Sequence, residues 1–450
     1  MKISLAMIPR LPIQHKEATI QVMLTNPSSE EKEFFLSLSV DNTVSISSEK
    51  KYTIAGNNTI CAELPWTPET NGWKKLTLTA SNTQKEETLS SSLTVPVIAK
   101  PLYFSWFGPD TTLLYANLPH ANTKEEQEEW KKKGARPWVW KGAKEGNTPQ
   151  EYADYLYAEL EENGATAIHI DEIGGYSDTE ISKRVQMEGI RLFKKLHPEI
   201  FLGLYVCGSL KPVVAHLGSY GKNQVVDLLL LEAYLNYQVP GFHSYTRYAY
   251  FDQRINTARD YDALENSIMI LGIKGEEEKY RISKEDLEEQ VRYIRTHAPE
   301  MPGIGFYRVP CLTKEISEFA DSLCLTYFIQ PVLTIWERDI FSSEGKIIAG
   351  EERTIHTIIH NIGGMDAHNV QVAFYEGDPL YGGTKIGRSI YLDTLPADKG
   401  IPLGRYPVEQ RWVPKKSGHQ EIFVEIIPDE STTLLNGRAK RSFFVYDKSK

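Results

Sequence analysis

The sequence predicts a multidomain protein, with a central TIM-like (β/α)8 barrel and a β-sandwich on each side of it. Three observations lead there. The chain has 450 residues, room for roughly three domains at about 150 residues each. Both ends alternate polar and apolar residues with period two, the pattern of half-buried strands. The middle alternates short apolar runs with amphipathic stretches of helical period, as parallel α/β folds do.

Residues 1–98 form the first expected domain. The runs Thr19–Leu24, Phe34–Leu38 and Leu76–Thr79 read as strands, with turn material at Asn26–Ser29 and Gly56–Asn58 between them. Many short strands at this spacing suggest a sandwich. Pro96–Pro101 reads as the exit linker.

Residues 99–332 form the second. Strands are expected at 102–107, 138–141, 165–171, 201–206, 225–232, 268–273 and 303–308, and helices at 123–133, 149–163, 178–196, 245–265, 283–297 and 313–328. In 149–163, Thr148 can cap the first turn and Pro149 suits it. Tyr152, Tyr155, Leu156 and Leu160 share a face, and Gly164 ends the helix. A barrel needs an eighth strand, and Leu113–Leu118 is the candidate. It follows the first strand too closely for an ordinary helical crossover, so an irregular opening is implied. An open doubly wound sheet is the rival. Against it, no GxGxxG fingerprint follows the first strand and no GxxxxGK[ST] occurs, which disfavours nucleotide cofactors.

Residues 333–450 return to strand grammar, with Thr354–Ile359, the turn Asn361–Gly364, then Val370–Tyr375. An internal echo links the two ends: Trp66-Thr67-Pro68 with Gly72-Trp73, and Trp412-Val413-Pro414 with Gly418-His419. The stretch His360–Asp378 resembles CARDB-type bacterial adhesion modules, in which an Asn-x-Gly turn precedes an alternating strand ending in an aromatic pair. That resemblance implies an immunoglobulin-like sandwich.

Composition narrows the function. Apolar residues make up 41% and charged residues 24%, so collagen, coiled coil and whole-chain disorder are excluded. The net charge of −10 argues against a nucleic-acid partner. The longest apolar stretch, Val225–Ala233, is broken by Asp227 and Glu232, so no membrane span is expected. The opening MKISLAMIPRLP is too quickly interrupted by Arg10 to serve as a signal peptide. Either the protein stays in the cytoplasm or the numbering starts after a removed leader; the module types favour a secreted or periplasmic protein. Cys61, Cys207, Cys311 and Cys324 show no CxxC spacing, and neither a disulfide scaffold nor a zinc site is expected. No GxSxG supports a serine nucleophile. No cofactor is expected.

Barrel active sites lie at the C-terminal strand ends, and two ends stand out. One is Ala167–Tyr176, AIHIDEIGGY. Period two puts His169 and Asp171 on one face and Ile168 and Ile170 on the other, with Glu172 just beyond. The second is Leu228–Tyr234, where Glu232 follows four leucines. Buried alone, that carboxylate would be costly, so it needs exposure, a partner or a perturbed pKa. The two ends stand two strands apart, roughly 9–10 Å. Inward-leaning side chains could bring the carboxyls to about 5–9 Å, which spans the separations of retaining and inverting glycoside hydrolysis.

Aromatic residues crowd the same ends: Trp106, Phe107, Trp138, Trp140, Tyr205, Tyr234, Tyr237 and Tyr307. Their faces can stack on pyranose rings, while Asp110, His120, Lys141, Asn236, His243 and Arg308 could bond hydroxyls. Each has a plainer reading. A strand-end carboxylate often caps a helix, His169 can be a packed barrel histidine, and the tryptophans can fill the core. The run KEEQEEWKKK is a solvated helix face.

The middle segment resembles glycoside-hydrolase barrels, in which the fourth strand, like Ala167–Glu172, is aliphatic and ends in acidic groups. Counting Leu113–Leu118 as a strand puts Asp171 on strand four and Glu232 on strand six, similar to some retaining α-glycosidases. The chitinase pattern DxxDxDxE is incomplete, and the common plan with acids on strands four and seven is not met. The resemblance implies a carbohydrate substrate and hydrolysis by Glu232 with Asp171 or Glu172. The apolar strand around Glu232 favours it as general acid, with Asp171 ionised and Glu172 a substrate contact or the true partner. Expected substrate contacts are Trp106, Trp138, Trp140, His169, Tyr205, Tyr234, Tyr307, Arg308 and Asp110. The alternative is a non-catalytic glycan-binding or cell-surface adhesion protein on a degenerate barrel. A metal-dependent hydrolase is a weaker third reading.

Overall fold

The computed structural model describes residues 2–82, 88–108, 113–142, 148–171, 180–207, 210–213, 217, 225–234, 248–273, 282–308, 314–343, 345–397 and 404–448. Its contacts group the chain into two compact units. One holds Met1–Leu287 with Met301–Cys324, the other Glu288–Glu300 with Leu325–Lys450.

The first unit begins with two antiparallel sheets. Lys2–Ile8, Ala18–Thr25 and Thr59–Trp66 form one; Thr43–Ile54, Lys32–Val40, Gly72–Ser81 and Thr88–Val97 form the other. Alternate residues of each, such as Ile20, Val22 and Leu24 against Leu36, Leu38, Leu76 and Leu78, fill one shared core. This period-two burial is what the alternating sequence predicts.

The barrel follows in the same unit. Its strands are β1 (Tyr103–Phe107), β2 (Leu118–Pro119), β3 (Val139–Gly142), β4 (Ala167–Asp171), β5 (Phe201–Val206), β6 (Leu228–Ala233), β7 (Ser267–Ile273) and β8 (Gly303–Arg308). Each pairs in parallel with the next, and β8 returns to β1. A parallel bridge from His120, just after β2, to Trp138, just before β3, closes the ring. The helices are α1 (Lys124–Lys132), α2 (Pro149–Asn163), α3 (Glu180–Leu196), a single turn α4 (Leu210–Val213), α5 (Ala249–Asp260), α6 (Lys284–His297, which from Glu288 onward groups with the second unit) and α7 (Lys314–Cys324). Thr148 caps α2 and Gly164 ends it in the left-handed conformation, as the sequence predicts.

The eighth strand is the main departure from expectation. Only Leu118–Pro119 pairs as strand. The preceding residues spend their backbone groups on distant side chains. Asp321 of α7 accepts from the amides of Leu114 (2.7 Å) and Tyr115 (3.0 Å). Arg10 donates Nη1 to the carbonyls of Leu113 (2.7 Å) and Ala116 (3.0 Å). Asn117 bonds the backbone of Leu102 and Phe104. A peptide group so occupied is not available to a sheet ladder. The expected strand at 225–232 also starts late, at Leu228, because the amides of Val225 and Val226 are both turned to the Leu217 carbonyl.

The second unit carries two further sheets. One orders Ile340–Ser342, Arg353–Asn361, Val332–Thr334 and Thr433–Asn436, with Gly404–Trp412 also on Arg353–Asn361. The other orders Ile347–Ile348, Arg438–Tyr446, Gly418–Ile427, Ala367–Glu376 and Thr384–Leu395. Ile355, Ile359, Val408 and Trp412 pack against Val372, Phe374, Ile422 and Val424 in the core. The echo noted in the sequence has a physical basis. Trp66 and Trp412 each end a strand and are buried. Gly72 and Gly418, at φ +104° and +96°, each open the next strand in a conformation that favours glycine. Among the described residues no helix is long and apolar enough to cross a membrane.

Candidate active site

Parity in the ladder decides which side chains enter the barrel. On β4, Ala167, His169 and Asp171 share the inner face. On β6, Leu228, Leu230 and Glu232 do, continuing to Tyr234; Leu229 and Leu231 face outward and are fully buried. A Cβ on Gly203 of β5 would come within 2.7 Å of the Trp138 ring. The bare backbone there is what admits an indole to the interior.

The interior fills from below. Trp138 is completely buried between His169 (ring centres 4.9 Å apart) and Phe201 (6.4 Å). Phe107 is the hub of the next layer, in contact with His120 (5.4 Å), His169 (5.0 Å), Tyr205 (5.3 Å) and Tyr307 (5.7 Å). Burial drives the ionisation of both histidines down, His120 to about 4, and His169 is pushed further by His120. Both imidazoles are therefore neutral at neutral pH. Among the described residues neither ring nitrogen of His169 has a hydrogen-bond partner.

Above this layer lie the polar groups. The hydroxyls of Tyr205 and Tyr234 bond each other, and Tyr307 stacks on Tyr234 at 5.3 Å. Both tyrosines are held neutral far above their ordinary range. For Tyr205 the causes are burial, then Tyr234, Glu232 and Asp171; for Tyr234 they are burial, then Glu232, with Tyr307 and Asp171 adding to it. The two carboxylates stand on the non-adjacent strands β4 and β6, with Tyr205 on β5 between them. Asp171 and Glu232 are each half-buried. Ile170 is level with Leu204, and Leu204 with Leu229, so Glu232 stands two residues further along its strand than Asp171. Two strand spacings and that stagger separate the backbones by about 12 Å. Asp171 Oδ2 accepts from Trp140 Nε1 at 2.8 Å.

The expected contacts divide accordingly. Trp140, Tyr205, Tyr234 and Tyr307 gather around Asp171 and Glu232. Trp106 does not. It lies on the opposite face of β1 from Phe107, is 2% exposed and packs on Phe306, so its reading as a substrate contact is corrected to core packing. Trp138 and His169 form the floor, without exposed surface of their own. Lys141 is turned to α2, where it pairs with Glu159 and covers the Tyr155 ring. Glu172, Asp110, Asn236, Tyr237, His243 and the Arg308 side chain lie outside the described residues. Two features went unread in the sequence: the bond from Trp140 to Asp171, and Gly142 beside it. Their signal was Gly142 two residues after a tryptophan on one strand face. Among the described residues no group of three or more His, Cys, Asp and Glu side chains is arranged to hold a metal ion.

No family model and no curated protein matches the sequence. Solved structures similar to the chain include a β-glucuronidase from Bacteroides uniformis, 11% identical, TM-score 0.34, covering 99% of this chain and 61% of that one. Others are a GH2 β-galacturonidase from Eisenbergiella tayi (13%, TM-score 0.32, 68% and 64%) and the CARDB domain of PF1109 from Pyrococcus furiosus (17%, TM-score 0.20, 26% and 91%). The chain spans about three fifths of the length of the glucuronidase. The protein is a multidomain chain with a closed parallel barrel and sandwich-type sheets, and its structural neighbours include glycoside hydrolases at low identity.

Proposed function

We propose that the protein is a glycoside hydrolase acting on an oligo- or polysaccharide at the C-terminal mouth of the barrel. The observation that carries the reading is that ladder parity puts Asp171 of strand four and Glu232 of strand six on the inner face of the barrel, on either side of the strand that bears Tyr205, whose hydroxyl bonds that of Tyr234. Cleavage of an acetal needs one carboxyl to protonate the leaving oxygen and another, ionised, to act as base or nucleophile. Glu232, rising from an apolar strand, is the general acid. Asp171, bonded by an indole N–H, is the ionised group. Tyr307 and Trp140, 36% and 42% exposed, offer ring faces to the sugar. The neutral tyrosine pair keeps the space between the acids polar without adding charge.

The test is hydrolysis across a panel of polysaccharides and aryl glycosides, read as new reducing ends or released phenol. Glu232→Gln and Asp171→Asn are expected to lower turnover by about a hundred- to ten-thousandfold with an unchanged circular-dichroism spectrum. Glycan binding by the parent protein with no new reducing ends would overturn the reading in favour of a non-catalytic glycan binder.

A further inference from the structure

We propose that Trp140 is the positioning residue of Asp171, fixing the orientation of its carboxylate through the indole N–H. The proposal deepens the hydrolase reading and rests on it for its kinetic consequence, but not for its geometry.

In the β3–β4 ladder Trp140 is level with His169, and Gly142 is level with Asp171. To reach Asp171 the indole must therefore run along its own strand, past the next inward position. That position is a glycine. A Cβ at Gly142 would lie 3.7 Å from both Cζ2 and Cη2 of Trp140, so the six-membered ring passes directly over it. The Nε1–H then meets Asp171 Oδ2 at 2.8 Å, a charge-assisted geometry.

Trp138 supplies the contrast. It stands two residues earlier on the same face, is fully buried, and its indole nitrogen has no hydrogen-bond partner among the described residues. Trp138 fills space. Trp140 is 42% exposed, so filling the core does not explain it. An indole nitrogen can only donate. It stabilises the ionised carboxylate over the protonated one and pins one oxygen, and hence the side-chain rotamer. The same ring leaves a face open at the site, so one residue joins sugar stacking to the orientation of the base or nucleophile.

Two measurements test this. The first needs no substrate. In protein carrying ¹⁵N-labelled tryptophan, the eight tryptophans give indole cross-peaks, and Trp140→Phe assigns one by its loss. That peak is expected to move in Asp171→Ala and to follow a carboxyl titration in the parent. A peak indifferent to both overturns the proposal. The second uses an aryl glycoside that the parent cleaves. Trp140→Phe, which keeps a ring, is expected to lower kcat about tenfold or more, leave KM within about twofold, and move the acid limb of the pH–rate profile upward. Gly142→Val, which crowds the ring, should repeat the effect, and Gly142→Ala should not. If Trp140→Phe behaves like the parent and only Trp140→Ala raises KM, the ring serves stacking alone and the proposal fails. If the parent cleaves no glycoside, the hydrolase reading fails, and the cross-peak still decides the positioning role.

Discussion

His120 makes the stability of the barrel depend on pH in a calculable way. Its imidazole lies inside the closing bridge between β2 and β3, stacked on Phe107 and 5.5 Å from His169. Burial lowers its pKa from 6.5 to about 4, against the opposing pull of Glu126 and a bond to Asn122. Between those values the unfolded chain binds a proton that the folded chain refuses. The stability from this group is therefore complete above the unfolded value and is lost as pH falls through the window toward the folded one. At about 1.4 kcal/mol per pH unit, the gap amounts to about 3 kcal/mol. His169, wholly buried and driven down by burial and then by His120, acts with the same sign. The assay is equilibrium urea unfolding of the parent and of His120→Asn, each near neutral pH and at about pH 4. The variant starts from a lower stability because it disturbs packing on Phe107, but its own loss on acidification is expected to be about 3 kcal/mol smaller. Equal losses in the two proteins would refute the claim that the imidazole is buried neutral.

Other consequences are as direct. Asp321→Ala removes the acceptor of the Leu114 and Tyr115 amides; it is expected to cost about 1–3 kcal/mol, measured by denaturant unfolding. Tyr234→Phe leaves the buried Tyr205 hydroxyl without its partner and should cost about 1–3 kcal/mol. The double change with Tyr205→Phe should cost less than the sum of the two single changes, a difference read from thermal melts. Gly203→Val drives a methyl group into the Trp138 ring and should destabilise by about 1–3 kcal/mol, again by denaturant unfolding.

Much of this architecture can be read from local pattern. Period two sorted His169 and Asp171 from Ile168 and Ile170, whereas on β6 four consecutive leucines show no alternation and Glu232 stood out only as a carboxylate after them. The failures have non-local causes. Leu113–Ala116 is apolar enough to pass for a strand, yet its amides and carbonyls belong to Asp321 and Arg10, more than 100 residues away in either direction. Trp106 was misplaced because both faces of β1 are covered: Phe104 and Trp106 lie on one side, Tyr103, Ser105 and Phe107 on the other. Alternation then carries no sign of which is inside. The depth of Trp138 and His169 depends on the stagger between strands, which no single strand records. The bond from Trp140 to Asp171 depends on that same stagger, which sets Trp140 level with His169 and one inward position short of Asp171.

The division of labour between the two acids is tested most directly by comparing leaving groups. A general acid is dispensable when the departing phenol is already a weak base, whereas the base or nucleophile never is. Glu232→Gln is expected to retain turnover of a dinitrophenyl glycoside while losing that of the natural polysaccharide, and Asp171→Asn to lose both. Equal loss of both substrates in the two variants, or loss in neither, would contradict the assignment.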